Sequence, residues 1–239
     1  MKTINKITAI IPAAGKSKRF KFKHSKIFFK IKNKKMIEII LDKINLFADE
    51  IFVIIKKKDY SQFEKIQNKK KYKNKIKVLF QDKTDGMATA ISIGLKEANN
   101  HNFFVLWSDQ VYLSKKTILT GLKIHSKKRI LTFPVVWKEN PYTRIVKKKN
   151  KFFNILQQRE VETKLENGYS DCGFFIGKTL FFKKKLISLI RKKKILTKKT
   201  KEHDFLHSFK YIKDKKKISI YKIKNQKESN GINYRNEIV

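Results

Sequence analysis

The sequence predicts an α/β fold in which helices flank a mostly parallel mixed sheet. In the first half, short apolar runs alternate with segments whose apolar residues recur at helical spacing, as in βαβ chains. The runs are nearly continuous, which is typical of strands buried on both faces. With 239 residues, 41% of them hydrophobic, the chain can build the core of one domain over residues 1–239.

The first half provides the strongest pattern. We predict a helix over 36–47, which carries apolar residues every three to four positions, and a second helix over 86–98. The predicted strands are Ile7–Ile11, Glu50–Ile55, Ile76–Phe80 and Phe103–Trp107. Ligands of parallel α/β sheets bind at the carboxyl ends of the strands, so the residues that follow these runs are the first candidates for a site.

The second half is predicted to extend the sheet and to cover that edge. Two helices are expected, over 180–191 and 202–211, and the second would place His203 and His207 one turn apart on a helix face. The predicted strands are Arg129–Val136, Arg144–Val146, Phe152–Gln157 and Cys172–Ile176.

The formal charge of +39 raises the possibility of a nucleic-acid partner. Only six of the 59 basic residues are arginine, the residue that base-edge readout favours. The lysines are spread along the chain together with many Ile, Asn and Phe residues, which indicates a compositional bias of the genome. We therefore expect no nucleic-acid partner, although the positive field favours anionic substrates.

The sequence also indicates the cellular compartment and limits the possible disulfide bonds. The longest apolar runs are too short to span a bilayer, and the N-terminal residues lack the pattern of a signal peptide. The one cysteine, Cys172, cannot form an intrachain disulfide and is interpreted as a core thiol. We expect a cytoplasmic protein without a membrane partner, and the oligomeric state is not predicted.

A candidate anion site follows the first strand. The run Ala13-Ala14-Gly15 places small residues where a strand becomes a turn, and such a turn can point successive backbone N–H groups at one phosphate. Arg19 and Lys26 follow and can neutralise phosphate charge. An ordinary turn with surface lysines would have the same sequence, so this segment alone is only moderately specific for a phosphate-binding site.

Several segments, in order, resemble the nucleotide-sugar pyrophosphorylases, and most closely the uridylyltransferase half of bifunctional N-acetylglucosamine-1-phosphate uridyltransferases. The resemblance covers most of the chain and implies a Rossmann-like fold of the GT-A nucleotidyltransferase type. Residues 1–135 would then bind the nucleotide and residues 136–239 the acceptor. The segments are Ala13-Ala14-Gly15-Lys16-Ser17-Lys18-Arg19 with Lys26, Gln81 to Ala90, Leu106-Trp107-Ser108-Asp109, Pro141 to Ile145, Ile155 to Glu160, and Gly231-Ile232-Asn233.

The resemblance implies roles for individual residues. Arg19 and Lys26 would be catalytic, and Asp109 and Asn233 would hold Mg²⁺, a hard cation that prefers oxygen ligands. The nucleotide would contact Ala13, Ala14, Gly15, Gln81 and Gly86. The amide of Gln81 carries both a donor and an acceptor that can pair with the imide edge of uracil or thymine, and Gly86 would let the backbone approach the base.

The acceptor side departs from the family pattern. Thr143 stands where glycine would contact the sugar, Gln157 replaces an acidic residue, and Asp171 replaces an asparagine. We still assign these three positions to the acceptor and expect an acceptor other than N-acetylglucosamine 1-phosphate.

The sequence thus predicts an enzyme that transfers UMP or dTMP from a nucleoside triphosphate to a phosphorylated sugar or similar metabolite. Pyrophosphate would leave in one direct, Mg²⁺-assisted displacement. A cytidylyltransferase or a molybdenum-cofactor-type nucleotidyltransferase is the alternative, and a non-catalytic nucleotide-binding protein is a further one.

Overall fold

A computed structural model describes residues 6–15, 20–22, 24–72, 74–149 and 151–237. Twelve strands occur in these ranges: β1 (Ile7–Pro12), β2 (Lys30–Ile31), β3 (Lys34–Lys35), β4 (Glu50–Ile55), β5 (Ile76–Phe80), β6 (Asn102–Leu106), β7 (Leu131–Lys138), β8 (Thr143–Lys148), β9 (Lys151–Gln157), β10 (Gly168–Asp171), β11 (Phe174–Lys178) and β12 (Ile218–Lys222). Five α-helices accompany them: α1 (Met36–Ile44), α2 (Tyr60–Gln67), α3 (Met87–Glu97), α4 (Lys115–Ile124) and α5 (Thr179–Arg191).

One sheet runs through both halves of the chain, in the order β10-β7-β11-β6-β1-β4-β5, with β12 beside β7. The β6-β1-β4-β5 half is parallel, whereas β11 is antiparallel to both β6 and β7. The carboxyl ends of β1, β5 and β6 therefore meet along one edge. The fold is the predicted α/β arrangement with a mostly parallel sheet at its centre.

Helices cover both faces of the sheet because the central strands are apolar on both sides. In β1, Ile7, Ala9 and Ile11 pack with residues of α1, α2 and α4. Ile10 points the other way and packs with residues of α3 and α5. The helix α3 packs closely on the sheet here, since a Cβ added to Gly94 would lie 3.0 Å from Ile10 Cγ2.

The predicted elements of the first half agree with the structure to within three residues, and β2, β3, β10, β12, α2 and α4 were not predicted. In the second half, the strand expected over 172–176 is β11, which begins and ends two residues later because Gly173, with a φ of +65°, is outside the extended region. One prediction was wrong. No α-helix spans 202–211; only Leu206–Tyr211 forms a 3₁₀-helix. His203 instead pairs with Leu196 in an isolated β-bridge, so the two histidines do not share a helix face.

Within the described ranges, no helix is both long enough and apolar enough to cross a membrane.

Candidate active site

A cavity of about 550 Å³ opens at the carboxyl ends of β1, β5 and β6 and beside the start of α3. Residues from distant parts of the chain form its walls: Pro12, Ala13, Ala14, Gly15, Phe20, Lys26, Ile27, Gln81, Thr84, Gly86, Met87, Ala90, Ser108, Asp109, Arg159, Thr200, Glu202, His203 and Asn233. Eight of the predicted site residues are among them, which means that the fold brings these positions together.

The loop after β1 forms one wall. Ala13 continues the strand by one hydrogen bond, from its N–H to the carbonyl of Ile54 at 2.8 Å, and Ala13 and Ala14 are both buried. Gly15 is exposed, and a Cβ added there would meet no atom within 4 Å. Lys16 to Arg19 lie outside the described residues, so the catalytic role predicted for Arg19 stays a prediction.

Lys26 sits at the junction between the two halves of the chain. Its Nζ donates to Asp109 Oδ2 and to the carbonyl oxygen of Ile232, both at 2.9 Å. The Lys26 and Asp109 side chains are only 12% and 20% exposed, so solvent screens this ion pair less than it would a surface pair. The Lys26 ammonium group thus binds a carboxylate oxygen from the loop after β6 and a backbone oxygen near the C-terminal end of the described chain.

The segment 231–233 lies against the end of β6. The N–H of Ile232 donates to the carbonyl of Asp109 at 3.1 Å, and a Cβ added to Gly231 would lie 3.2 Å from Asp109 Oδ1. Asn233 lines the same cavity as Asp109, and its Nδ2 donates to the carbonyl of Gly231 at 3.3 Å. The available donors are therefore carboxylate, amide and carbonyl oxygens, a set that suits a hard cation. In the described part of the chain, no three His, Cys, Asp or Glu residues cluster as a metal site.

Gln81 is buried behind the loop that precedes α3. Its Nε2 donates to Asp85 Oδ1 at 2.8 Å and to the carbonyl of Gly86 at 3.1 Å, which uses both amide protons. The oxygen Oε1 is the group of this amide that remains for a ligand. The sequence predicts that Gln81 both donates to and accepts from one base, whereas in this arrangement its side chain can only accept.

Gly86 lines the cavity and also packs against the backbone of His203. Its φ is +117°, and a Cβ there would lie 2.3 Å from the carbonyl oxygen of His203. On either side of this glycine, the N–H of His203 donates to the carbonyl of Asp85 at 2.7 Å, and the carbonyl of His203 accepts from the N–H of Ala88 at 3.0 Å. The His203 carbonyl, which in a helix over 202–211 would accept from the N–H four residues later, is bonded to α3 instead.

The second half contributes a wall that the sequence patterns did not assign to the site: Arg159, Thr200, Glu202 and His203. Arg159 follows β9, and its guanidinium bonds the buried carboxylate of Asp204 and, through Nε, Gln157 Oε1 at 3.2 Å. Arg159 lay in a segment that carried the family resemblance and was not singled out. No local pattern assigned Glu202 or His203 to this site, because His203 is placed there by contacts with residues more than a hundred positions away.

Thr143, Gln157 and Asp171 are buried and are not among the residues that line this cavity. Thr143 Oγ1 donates to Asp171 Oδ2 at 2.6 Å, and the N–H of Gly173 donates to Asp171 Oδ1 at 2.8 Å. Burial raises the pKa of the Asp171 carboxyl above its ordinary value, against these hydrogen bonds, which lower it. The structure thus joins Thr143 to Asp171, and contact of these residues with an acceptor stays a prediction.

Asp171 supports the cavity indirectly. Its carboxylate accepts from the N–H of Gly173, and the carbonyl of Gly173 accepts from the N–H of Trp107 at 2.9 Å, just after β6. A Cβ at Gly173 would lie 2.5 Å from Trp107 Cδ1. The turn after β10 therefore holds the strand end that carries Asp109.

Curated relatives of the chain include the bifunctional protein GlmU. The protein from Caldicellulosiruptor saccharolyticus is 29% identical over 200 residues, which is 78% of this chain and 40% of the relative. The one from Buchnera aphidicola subsp. Baizongia pistaciae is 29% identical over 157 residues, 64% of this chain and 34% of the relative. A 2-C-methyl-D-erythritol 4-phosphate cytidylyltransferase from Wigglesworthia glossinidia brevipalpis is 38% identical over 90 residues, 36% of this chain and 38% of the relative. The chain thus spans about two-fifths or less of the length of these relatives.

Solved structures share the fold. A protein from Bacillus anthracis described as a glucose-1-phosphate thymidylyltransferase superposes with a TM-score of 0.74 at 14% identity, over 91% of this chain and 87% of that one. A 4-diphosphocytidyl-2C-methyl-D-erythritol synthase from Anaerococcus prevotii gives 0.69 at 16% identity, over 98% and 93%. The family model of the MobA-like NTP transferase domain matches residues 9–207. The chain therefore belongs to the MobA-like NTP transferase family.

Proposed function

We propose that the protein transfers UMP or dTMP from a nucleoside triphosphate to a phosphorylated sugar or a similar phosphorylated metabolite. One observation carries this proposal: Lys26, Asp109 and the segment 231–233 meet in the same cavity as the Ala13–Gly15 loop and Gln81. A phosphate-binding loop, a paired lysine and a base-facing amide are the parts that positioning of a triphosphate requires.

The reaction is a single displacement. A phosphate oxygen of the acceptor attacks the α-phosphorus of the triphosphate, the bond between that phosphorus and the bridging oxygen breaks, and pyrophosphate leaves with the electron pair. No enzyme nucleophile is needed, and burial raises the pKa of the Cys172 thiol well above its ordinary value, which keeps it protonated. Lys26 Nζ would bind the phosphate oxygens and stabilise the charge that develops on them.

Asp109 and Asn233 are the residues that would hold Mg²⁺. Their oxygens, together with phosphate oxygens, make a donor set of the kind Mg²⁺ prefers, and the Lys26 ammonium already shows that a cation is stable beside Asp109. When bound, Mg²⁺ would offset the repulsion between the two anionic substrates and orient their oxygens.

The base would be selected by Gln81. Because its Nε2 is held by Asp85 and Gly86, its Oε1 is the atom that would accept a proton from the base. The N3–H of uracil or thymine can supply that proton, but so can the exocyclic amine of cytosine. This second possibility, together with the similarity to a cytidylyltransferase, makes cytidylyl transfer the second candidate function.

A pyrophosphate-release screen tests the proposal. UTP, dTTP, CTP, ATP and GTP would each be combined with sugar 1-phosphates and other phosphorylated acceptors, with Asp109→Ala as the blank for contaminating activity. We expect release that depends on both substrates, with UTP or dTTP preferred. Preference for CTP would change the base assignment, and no release with any pair would contradict the proposed reaction.

A further inference from the structure

The cavity wall formed by Arg159, Thr200 and Glu202 contains charged side chains that have no role in the proposed reaction. Arg159 is paired with the Asp204 carboxylate, whereas Glu202 has no ion-pair partner in the described part of the chain. Among the described residues, the one side chain that bonds its carboxylate is Thr200, whose Oγ1 lies 3.5 Å from Glu202 Oε2, at the limit of a hydrogen bond. The carboxylate therefore keeps most of its capacity to accept hydrogen bonds.

The backbone of Glu202 is held firmly, although its carboxylate has few contacts. Its N–H donates to Thr197 Oγ1 at 3.0 Å, and its carbonyl accepts from the N–H of Thr197 at 2.9 Å. The next residue, His203, is bonded to Asp85 and Ala88 on the other side. The backbone that carries the carboxylate is therefore already ordered, so a ligand that binds it restricts only the rotamers of the side chain.

An ionised carboxylate can only accept hydrogen bonds, so its ligand must supply donors. We infer that Glu202 binds the end of the acceptor that lies away from its phosphate, and that this end carries hydroxyl groups or a protonated amine. Arg159, held in place by Asp204 and Gln157, forms the cationic part of the same subsite. This inference rests on the proposed function, because it assigns the second substrate of that reaction.

The pairing of charges supports an acceptor of this kind over a second polyanion. The positive charges of Lys26 and Arg159 are each matched by one carboxylate, Asp109 and Asp204. Among the described charged residues that line the cavity, Glu202 is then the one without an oppositely charged partner, and it favours hydroxyl or ammonium donors over a further anionic group. The subsite would therefore accept a phosphorylated polyol or amino alcohol and disfavour an acceptor with a carboxylate at its far end.

The test compares Glu202→Gln with the wild-type protein and with Glu162→Gln, the same change at an exposed position outside the cavity wall. Steady-state pyrophosphate release would be measured with glucose 1-phosphate, glucosamine 1-phosphate, phosphoethanolamine and an alkyl phosphate without hydroxyl or amine groups. We expect Glu202→Gln to raise the KM of its best acceptor by about 10- to 100-fold, the range for a hydrogen bond to a charged group, with the KM of the triphosphate within about twofold. Glu162→Gln should change neither constant.

The pattern across acceptors distinguishes the two donor groups. A larger loss for the amine-bearing acceptors assigns an ammonium, and a larger loss for glucose 1-phosphate assigns hydroxyl groups. The inference is overturned if Glu202→Gln leaves every acceptor KM unchanged, if it raises only the KM of the triphosphate, or if the alkyl phosphate loses as much as the others. If the wild-type protein turned over none of these acceptors, the proposed function itself would fail. The binding of glucosamine 1-phosphate to wild type and to Glu202→Gln would then be compared by calorimetry. Equal affinities of the two proteins would overturn the inference.

Discussion

The carbonyl oxygen of His203 lies so close to Gly86 that a methyl group on this glycine would sit 2.3 Å from it. The contact joins the loop before α3 to a segment more than a hundred positions later, and two backbone hydrogen bonds, from His203 to Asp85 and from Ala88 to His203, flank it. The loop that positions Gln81 and the wall that carries Glu202 are therefore one hydrogen-bonded unit.

Gly86→Ala is expected to destabilise the protein. The added methyl must displace backbone, and φ of +117° is unfavourable for any L-residue, so we expect a loss of at least about 1–3 kcal/mol in the free energy of unfolding. Urea titration followed by circular dichroism would measure it. Gly15→Ala is the matched control, since its Cβ would meet no atom within 4 Å. Equal stability of the two variants would contradict the close contact.

Removal of Asp109 should nearly abolish turnover. Asp109→Ala takes away the partner of Lys26 and the main charged oxygen ligand proposed for Mg²⁺, whereas Asn233→Ala removes a neutral ligand and should reduce kcat by about 10²–10³-fold. The measurement is kcat for pyrophosphate release over a range of Mg²⁺ concentrations. Asp214→Ala, at a surface turn outside the cavity, serves as the control. If Asp109→Ala retained more than about a tenth of the activity, the proposed role of this carboxylate would be excluded.

Asp171 should make stability depend on pH. Burial raises its pKa in the folded protein, so the stability it contributes is fully present below the pKa of the unfolded chain, near 4, and is lost as pH rises through the raised value. Asp171→Asn keeps an acceptor for Gly173 N–H and can donate to Thr143. The variant should therefore gain stability relative to wild type between pH 4.5 and pH 7.5, as measured by urea unfolding at both values. A difference that stays constant with pH would argue against burial of an ionisable group here.

Cys172 should resist alkylation in the folded protein. The residue is buried, and its raised pKa leaves almost no thiolate at neutral pH. Iodoacetamide labelling followed by mass spectrometry should be slow in buffer and at least about 100-fold faster in denaturing urea. Fast labelling under native conditions would show that this thiol is accessible.

The sequence predicted the first half of the fold well because its strands are buried on both faces. Apart from Thr8 and Glu50, the strands Ile7–Pro12 and Glu50–Ile55 are apolar runs, which are typical of a central parallel sheet. The helix Tyr60–Gln67 was missed because it buries only Phe63 and Ile66 among polar neighbours. The path of the backbone at His203 could not be predicted, since it depends on hydrogen bonds with Asp85 and Ala88, more than a hundred positions earlier.

The candidate site was predicted unevenly for a related reason. Gln81 directly follows β5 and Asp109 lies three residues after β6, so topology alone places them at the carboxyl edge. Thr143 and Asp171 also lie at the ends of strands, but their side chains turn toward each other. Which way a side chain points depends on packing between strands, and a single sequence does not contain that information.

Lys26 and Ile232 are bonded across 206 positions of the chain. Closing so long a loop is entropically costly and is not required for the sheet to form, so a refolding molecule can have its strands paired while residues 231–233 are still undocked. Such a molecule would show native circular dichroism and yet lack one side of the catalytic cavity. Recovery of activity should then lag behind recovery of secondary structure, and a saturating triphosphate should shorten that lag if it binds the docked form in preference.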